Sequence, residues 1–223
     1  IAEYTKLETM EICDCYWTTK GSSEIFLRSP IQLKSLTFSK NTIGDNTFLA
    51  ALIEKAGKSL LNMCTDEVSE KIMMTLSQFC PNISKFTLFY ENDYKMFLYY
   101  LKGSKISQLV IKSHISSDEL LNVLGKYVPS SLEKIFLCCN FIPEYLRKFL
   151  LDYSILSLNT LEALYIKDIE DHTYDYLKAI EDCIMCNSLK AIVLEFLVYT
   201  DEELDLVQNI RKKGINLILQ ETV

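Results

Sequence analysis

Histidine is nearly missing from this chain. His114 and His172 are the only two in 223 residues, and a Ser-His-Asp or Cys-His catalytic centre needs one of them set beside a nucleophile. His114 follows a strand-like segment at a turn position, and His172 comes directly after Asp171 at an expected helix start. Surface or capping roles suit both. Glycine is also scarce, and the six present never form the G-x-G-x-x-G turn that cradles a phosphate. No apolar run approaches the ~18–20 residues of a membrane-spanning helix, and the N-terminus lacks the basic-then-apolar pattern of a secretory signal. Positive charge is in deficit as well: the net charge is −7. Nucleic-acid affinity rests on clustered Lys and Arg. The one short basic run, Arg211-Lys212-Lys213, falls where a helix should end and where cations suit the helix dipole. No nucleic-acid or membrane partner is expected.

What the chain has is periodicity. Three segments superimpose directly: LETMEICDC (7–15), LKSLTFSKN (33–41) and LEKIFLCCN (132–140). Each reads L-x-x-L-x-L-x-x-N/C, with Met, Ile or Phe standing in for some leucines. Looser copies begin at Leu60, Ile83, Ile106, Leu161 and Leu189, and a ninth strand-like run, GINLIL, closes the series at 214–219. The starts at 7, 33, 60, 83, 106, 132, 161 and 189 are 23 to 29 residues apart, within the ~20–29 range of leucine-rich repeats. Eight copies in near-constant phase point to an α/β leucine-rich-repeat solenoid of eight to nine repeats. A parallel sheet is expected on its concave side and helices on its convex side. With no linker or composition shift in the way, residues 1–223 read as a single domain.

The intervening stretches carry helical spacing: Phe48, Leu49, Leu52 and Ile53; Val68, Ile72, Met73, Leu76 and Phe79; Leu120, Leu121 and Leu124; Tyr145, Leu146, Phe149 and Leu150; Tyr176, Leu177, Ile180 and Ile184. Thr200 with Glu203, and Ser116 with Glu119, have capping-box spacing. The weakest helix, 93–101, is expected to be a turn or two. One repeat alone cannot offset a backbone ordering cost of ~1–2 kcal/mol per residue, because its few buried side chains contribute ~1.5–3 kcal/mol each. Stacked repeats share one core, so stability accumulates along the array.

Cysteine is the residue most open to a chemical reading. Eight cysteines without a secretory signal imply free thiols in a reducing compartment, cytoplasmic or nuclear. Cys183 and Cys186 make a C-x-x-C, but zinc needs two more ligands and no second such motif exists. Cys186 lies three residues before Leu189, as Cys80 does before Ile83, which places both at a buried helix-to-strand junction. Cys15, Asn41 and Asn140 share the ninth position, expected to turn inward and hydrogen-bond the backbone. Asp201, Glu202, Glu203 and Asp205 open a helix, where negative charge is stabilised. No cofactor, metal or catalytic residue is expected, and the chain does not read as an enzyme.

In a strand, side chains alternate between faces. Positions one, four and six should enter the core, and three, five, seven and eight should face the groove. Position five runs Glu11, Thr37, Cys64, Thr87, Val110, Phe136, Tyr165, Val193; position seven runs Cys13, Ser39, Asp66, Phe89, Lys112, Cys138, Lys167, Glu195. Val110, Phe136, Tyr165 and Val193, with Phe89, Lys112 and Lys167, form the candidate partner-binding surface. The alternative is that β-branched and aromatic residues merely suit strands, or that another segment covers them.

The repeats resemble the cysteine-containing leucine-rich repeats of F-box proteins, through C-P-N-I at 80–83, C-N-S-L at 186–189 and L-x-x-L-x-L-x-x-C at 7–15. GKYVPSSLEKIFL (125–137) is similar to the large fungal families of F-box/leucine-rich-repeat proteins. The resemblance implies a substrate-recognition arm of a Skp–cullin–F-box ubiquitin ligase acting in ubiquitin-dependent degradation. An F-box would dock on a Skp-type adaptor while the repeats hold a protein substrate. The chain itself contains no recognisable F-box, and only some repeats keep the cysteine. It opens on Ile1 rather than Met, so an F-box upstream of a fragment is one expectation. A stand-alone leucine-rich-repeat binding or inhibitor protein is the other. GINLIL is apolar enough that an uncovered edge there would invite association.

Overall fold

The computed structural model describes residues 7–15, 31–39, 47–89, 94–113, 116–155, 160–167, 173–183, 189–195 and 200–220. Asn41, His114, Asp171, His172, Ile184 and Cys186 lie outside the described residues. Strands and helices alternate, every described strand pairs in parallel, and the chain divides into two compact units, Ile1–Ile106 and Ser107–Val223.

The first unit holds strands β1 (Thr9–Cys13), β2 (Ser35–Ser39), β3 (Asn62–Thr65) and β4 (Lys85–Phe89), with helices α1 (Thr47–Ala56), α2 (Glu70–Phe79) and α3 (Lys95–Gly103). The register aligns the repeat positions: Met10, Leu36, Met63 and Phe86 stand side by side, as do Ile12, Phe38, Thr65 and Leu88. Positions one, four and six of the second to fourth repeats are buried. The apolar period therefore acts as the sequence demands, every second strand residue meeting the helices. The weakest predicted helix, α3, runs nine residues, and its Phe97, Leu98 and Leu101 enter the core. Phe97 packs its ring 5.3 Å from that of Phe86.

The second unit holds β5 (Gln108–Lys112), β6 (Lys134–Cys138), β7 (Ala163–Lys167), β8 (Ala191–Glu195) and β9 (Asn216–Gln220), with α4 (Asp118–Leu124), α5 (Pro143–Ile155), α6 (Thr173–Cys183) and α7 (Asp201–Lys212). Strands again lie in sequence order, and Leu109, Ile135, Leu164, Ile192 and Leu217 form one buried column. In each unit successive helices pack side by side as one layer over one sheet face. No described element covers the other face.

A backbone feature repeats with the sequence. The carbonyl at consensus position two accepts two N–H donors from the next repeat, at its positions two and three. Glu8 O takes Lys34 and Ser35 at 2.8 and 3.0 Å, and Glu133 O takes Glu162 and Ala163 at 2.7 and 3.1 Å. Lys34, Leu61, Ser107 and Glu162 do likewise. Backbone donors entering β2, β3, β4, β6, β7 and β8 are thus satisfied before the first ladder bond.

Three expectations need correction. Ser116 and Glu119 form no capping box: the N-cap of α4 is Ser117, without a side-chain cap, and Ser116 Oγ only accepts from Asp118 N–H at 3.4 Å. Cys139, at position eight, is buried rather than facing outward, and Asn140 at position nine is exposed. The chain turns as it leaves β6, so alternation fails there; it is the Asn140 carbonyl that takes a bond, from Ser117 N–H at 2.9 Å. By contrast, α7 opens on the predicted box. Thr200 Oγ1 accepts from Glu203 N–H at 3.1 Å, and the Glu203 carboxylate accepts from Thr200 N–H at 3.0 Å.

Candidate functional site

Position five of the second unit builds a continuous row on the sheet face that no described element covers. The register sets Val110 beside Phe136, Phe136 beside Tyr165, Tyr165 beside Val193 and Val193 beside Ile218. At the centre, the Phe136 and Tyr165 rings stack with centroids 4.0 Å apart and planes 10° apart. Adjacent strands lie ~4.8 Å apart, so two flat side chains at matched positions meet face to face by construction. Both are half-buried, leaving part of each ring available to contact.

The valines behave differently. Val110 and Val193 are only 9% and 8% exposed. A short side chain next to larger ones is shaded by them, and Val193 sits between Tyr165 and Ile218. These valines serve as the flanks of the aromatic pair rather than as protruding anchors. Ile218, 39% exposed, extends the row by one strand. Sequence reasoning missed it because β9 lacks the leading L-x-x-L. The signal was its place in the alternation of GINLIL.

Polar borders run along both sides of the row. Lys112, Cys138 and Lys167 align at position seven. Lys112 and Lys167 are exposed, and Lys167 Nζ lies 3.2 Å from a Glu195 carboxylate oxygen. On the opposite border Gln108, Lys134, Ala163, Ala191 and Asn216 align, so two alanines leave a shallow step beside Tyr165 and Val193. Beyond them Lys190 reaches Glu162 at 2.5 Å and holds its carboxyl below the usual range. Of the predicted residues, Val110, Lys112, Phe136, Tyr165, Lys167 and Val193 share this face of the second unit. Phe89 is half-buried at the end of β4 in the first unit.

Two buried helix-end cysteines are held by backbone carbonyls. Cys80 ends α2 with its Sγ donating to Ile53 O at 3.4 Å. It is 2% exposed, and burial pushes its thiol up to about 12. Cys183, also buried, donates to Arg147 O at 3.6 Å. Each helix-end thiol is thus spent on a carbonyl of the preceding helix. Cys15, as its position foretold, hydrogen-bonds backbone, donating to Cys13 O at 3.3 Å. Two cavities, one lined by Cys80, Tyr100 and Lys105 and one by Arg147, Asp175 and Lys178, hold ≈100 and ≈160 Å³. Pockets for small molecules usually span ~300–1,000 Å³.

These features define the class of the molecule: an α/β protein of repeated strand–helix units. The sheet face that no described element covers presents an aromatic-centred apolar row with polar borders. No family model matches the chain, and no curated protein matches it at a significant level.

Proposed function

We propose that this chain is a leucine-rich-repeat protein-binding module, and that it serves as the substrate-recognition arm of a Skp–cullin–F-box type ubiquitin ligase. The observation that carries the binding role is the stacked Phe136–Tyr165 pair at the middle of an apolar row on the face that no described helix covers. Aromatic residues dominate binding energy at interfaces, and a polar rim excludes water around them. The repeat phase, the in-register columns and the repeated two-donor carbonyl support a solenoid that offers its sheet to a protein substrate. The ligase link rests on the resemblance of the cysteine-bearing junctions to F-box leucine-rich repeats, and Cys80 occupies such a junction.

The test has two arms. Affinity capture of the full-length protein should retain a Skp-type adaptor; failure to retain one, with substrate still bound, favours a stand-alone binding or inhibitor protein. Phe136→Ala with Tyr165→Ala should weaken a captured substrate at least tenfold while the circular dichroism spectrum stays unchanged. Undiminished affinity in a folded double variant removes this face from the binding role.

A further inference from the structure

Around the aromatic pair the sheet face carries charge of the opposite sign to the chain as a whole. Positions three, five and seven of β5 to β8 hold three lysines, Lys112, Lys134 and Lys167, and one carboxylate, Glu195, although the net charge of the chain is −7. All three lysines are exposed. Side chains two apart on a strand share a face. Lys134 stands two residues before Phe136 on β6 and Lys167 two residues after Tyr165 on β7, so the two lie at opposite ends of the stacked pair. Lys112 is one strand away, beside Cys138. Glu195 is half-buried and lies against Lys167, and Glu162, outside the border, lies against Lys190.

The stack adds to this bias. Phe136 and Tyr165 are cross-strand neighbours with planes only 10° apart, so the stack runs from strand to strand along the sheet. One face of each ring meets the other ring, and the remaining faces look towards Val110 and Val193, which they shade. What the pair turns outward is ring edge. An aromatic ring is negative on its faces and positive at its edge, and the Tyr165 hydroxyl is a donor. A single-stranded nucleic acid is held by bases stacked on open aromatic faces, and here the faces are taken. The step at Ala163 and Ala191 gives room for an apolar side chain beside Tyr165 and Val193, and Lys134 borders that step through its pairing with Ala163.

Resting on the binding role above, we propose that this face takes an acidic peptide segment of its protein partner. An extended chain seats one apolar residue on the alanine step, while carboxylates on either side of it meet Lys134 and Lys167 and the field of Lys112 adds to theirs.

The experiment measures fluorescence anisotropy of a labelled heptapeptide, a central Leu with three Asp or Glu residues on each side, and of its amide counterpart with Asn and Gln in their place. The full chain should bind the acidic peptide about tenfold tighter than the amide one, the sum of three exposed ion pairs of modest strength, and the preference should shrink as salt rises. Lys112→Gln, Lys134→Gln and Lys167→Gln together should erase the preference with the circular dichroism spectrum unchanged. Glu195→Gln should tighten the acidic peptide about two- to fivefold, a gain that misfolding cannot produce. The proposal is overturned if both peptides bind alike, if the folded triple variant keeps the preference, or if a single-stranded oligothymidylate binds the face more tightly than the acidic peptide. A captured substrate separates this proposal from the reading beneath it. If Phe136→Ala with Tyr165→Ala weakens that substrate and the triple lysine variant does not, the face binds without charge selection and only the acidic partner is lost; if neither variant weakens it, both are lost.

Discussion

Cys80 shows how a side chain suited to reactivity is made inert by its surroundings. Buried at the end of α2 and donating to Ile53 O, its thiol holds its proton up to about 12, against an ordinary thiol value of 9.0. Between those values the unfolded chain has released that proton and the folded chain has not. Stability contributed by the neutral thiol is present below pH ~9 and drains away as pH rises toward 12. Denaturant titrations at successive pH values should show this decline, and Cys80→Ala should lose the part that sets in near pH 9. A smaller decline above pH 10 should remain in that variant, because burial also pushes the Tyr176 phenol up to about 12 and raises Tyr100. Tyr153 makes a different case. Its hydroxyl, at the end of a buried ring, accepts from Leu161 N–H at 2.7 Å where the chain enters the seventh repeat. Tyr153→Phe keeps the ring and strands that donor, so urea unfolding should report a loss of ~1–3 kcal/mol.

At the scale of elements, spacing between helices is set by what is absent as much as by what is packed. Gly125 follows α4, and a Cβ there would lie 2.8 Å from both Phe149 O and Asp152 Cβ on α5. Backbone cannot yield as a flexible side-chain tip can, so Gly125→Ala has to push α5 outward. A loss of ~1–3 kcal/mol is expected in thermal or chemical unfolding. The strands and helices themselves were legible from leucine phase and helical spacing, since each is fixed by a period that a linear sequence displays. Departures came where the period stops. The entry to α4 begins at Ser117 because Ser116 spends its hydroxyl on Asp118 N–H, and the exit of β6 inverts Cys139 and Asn140. Turn geometry depends on which backbone group needs a partner, and no residue count reveals that.

For the molecule as a whole, the decisive distinction is between the sheet face that holds the fold together and the one left for other work. Leu137 and Phe136 are neighbours on β6, yet Leu137 is fully buried and Phe136 half-buried. Leu137→Ala should cost ~2–5 kcal/mol of global stability, whereas Phe136→Ala should fall well short of that in the same assay. Similar losses at both positions would mean that the aromatic row is structural. The candidate site was readable in advance to the extent that alternation assigns faces: Val110, Phe136, Tyr165 and Val193 did come into one row. Their relative exposure was not readable, because shading of a valine depends on the size of its lateral neighbours. The stacking of Phe136 on Tyr165 followed from register, which the eight aligned repeat starts encode only when read together.

The doubly accepting carbonyls at consensus position two carry a consequence for how such a chain can change over time. They join repeat to repeat through main-chain atoms alone, so no side chain at positions three, five or seven is required for the join. Substitutions there can redraw the outward surface while the scaffold keeps its alignment, which leaves the chemistry of that surface open to drift at little risk to folding.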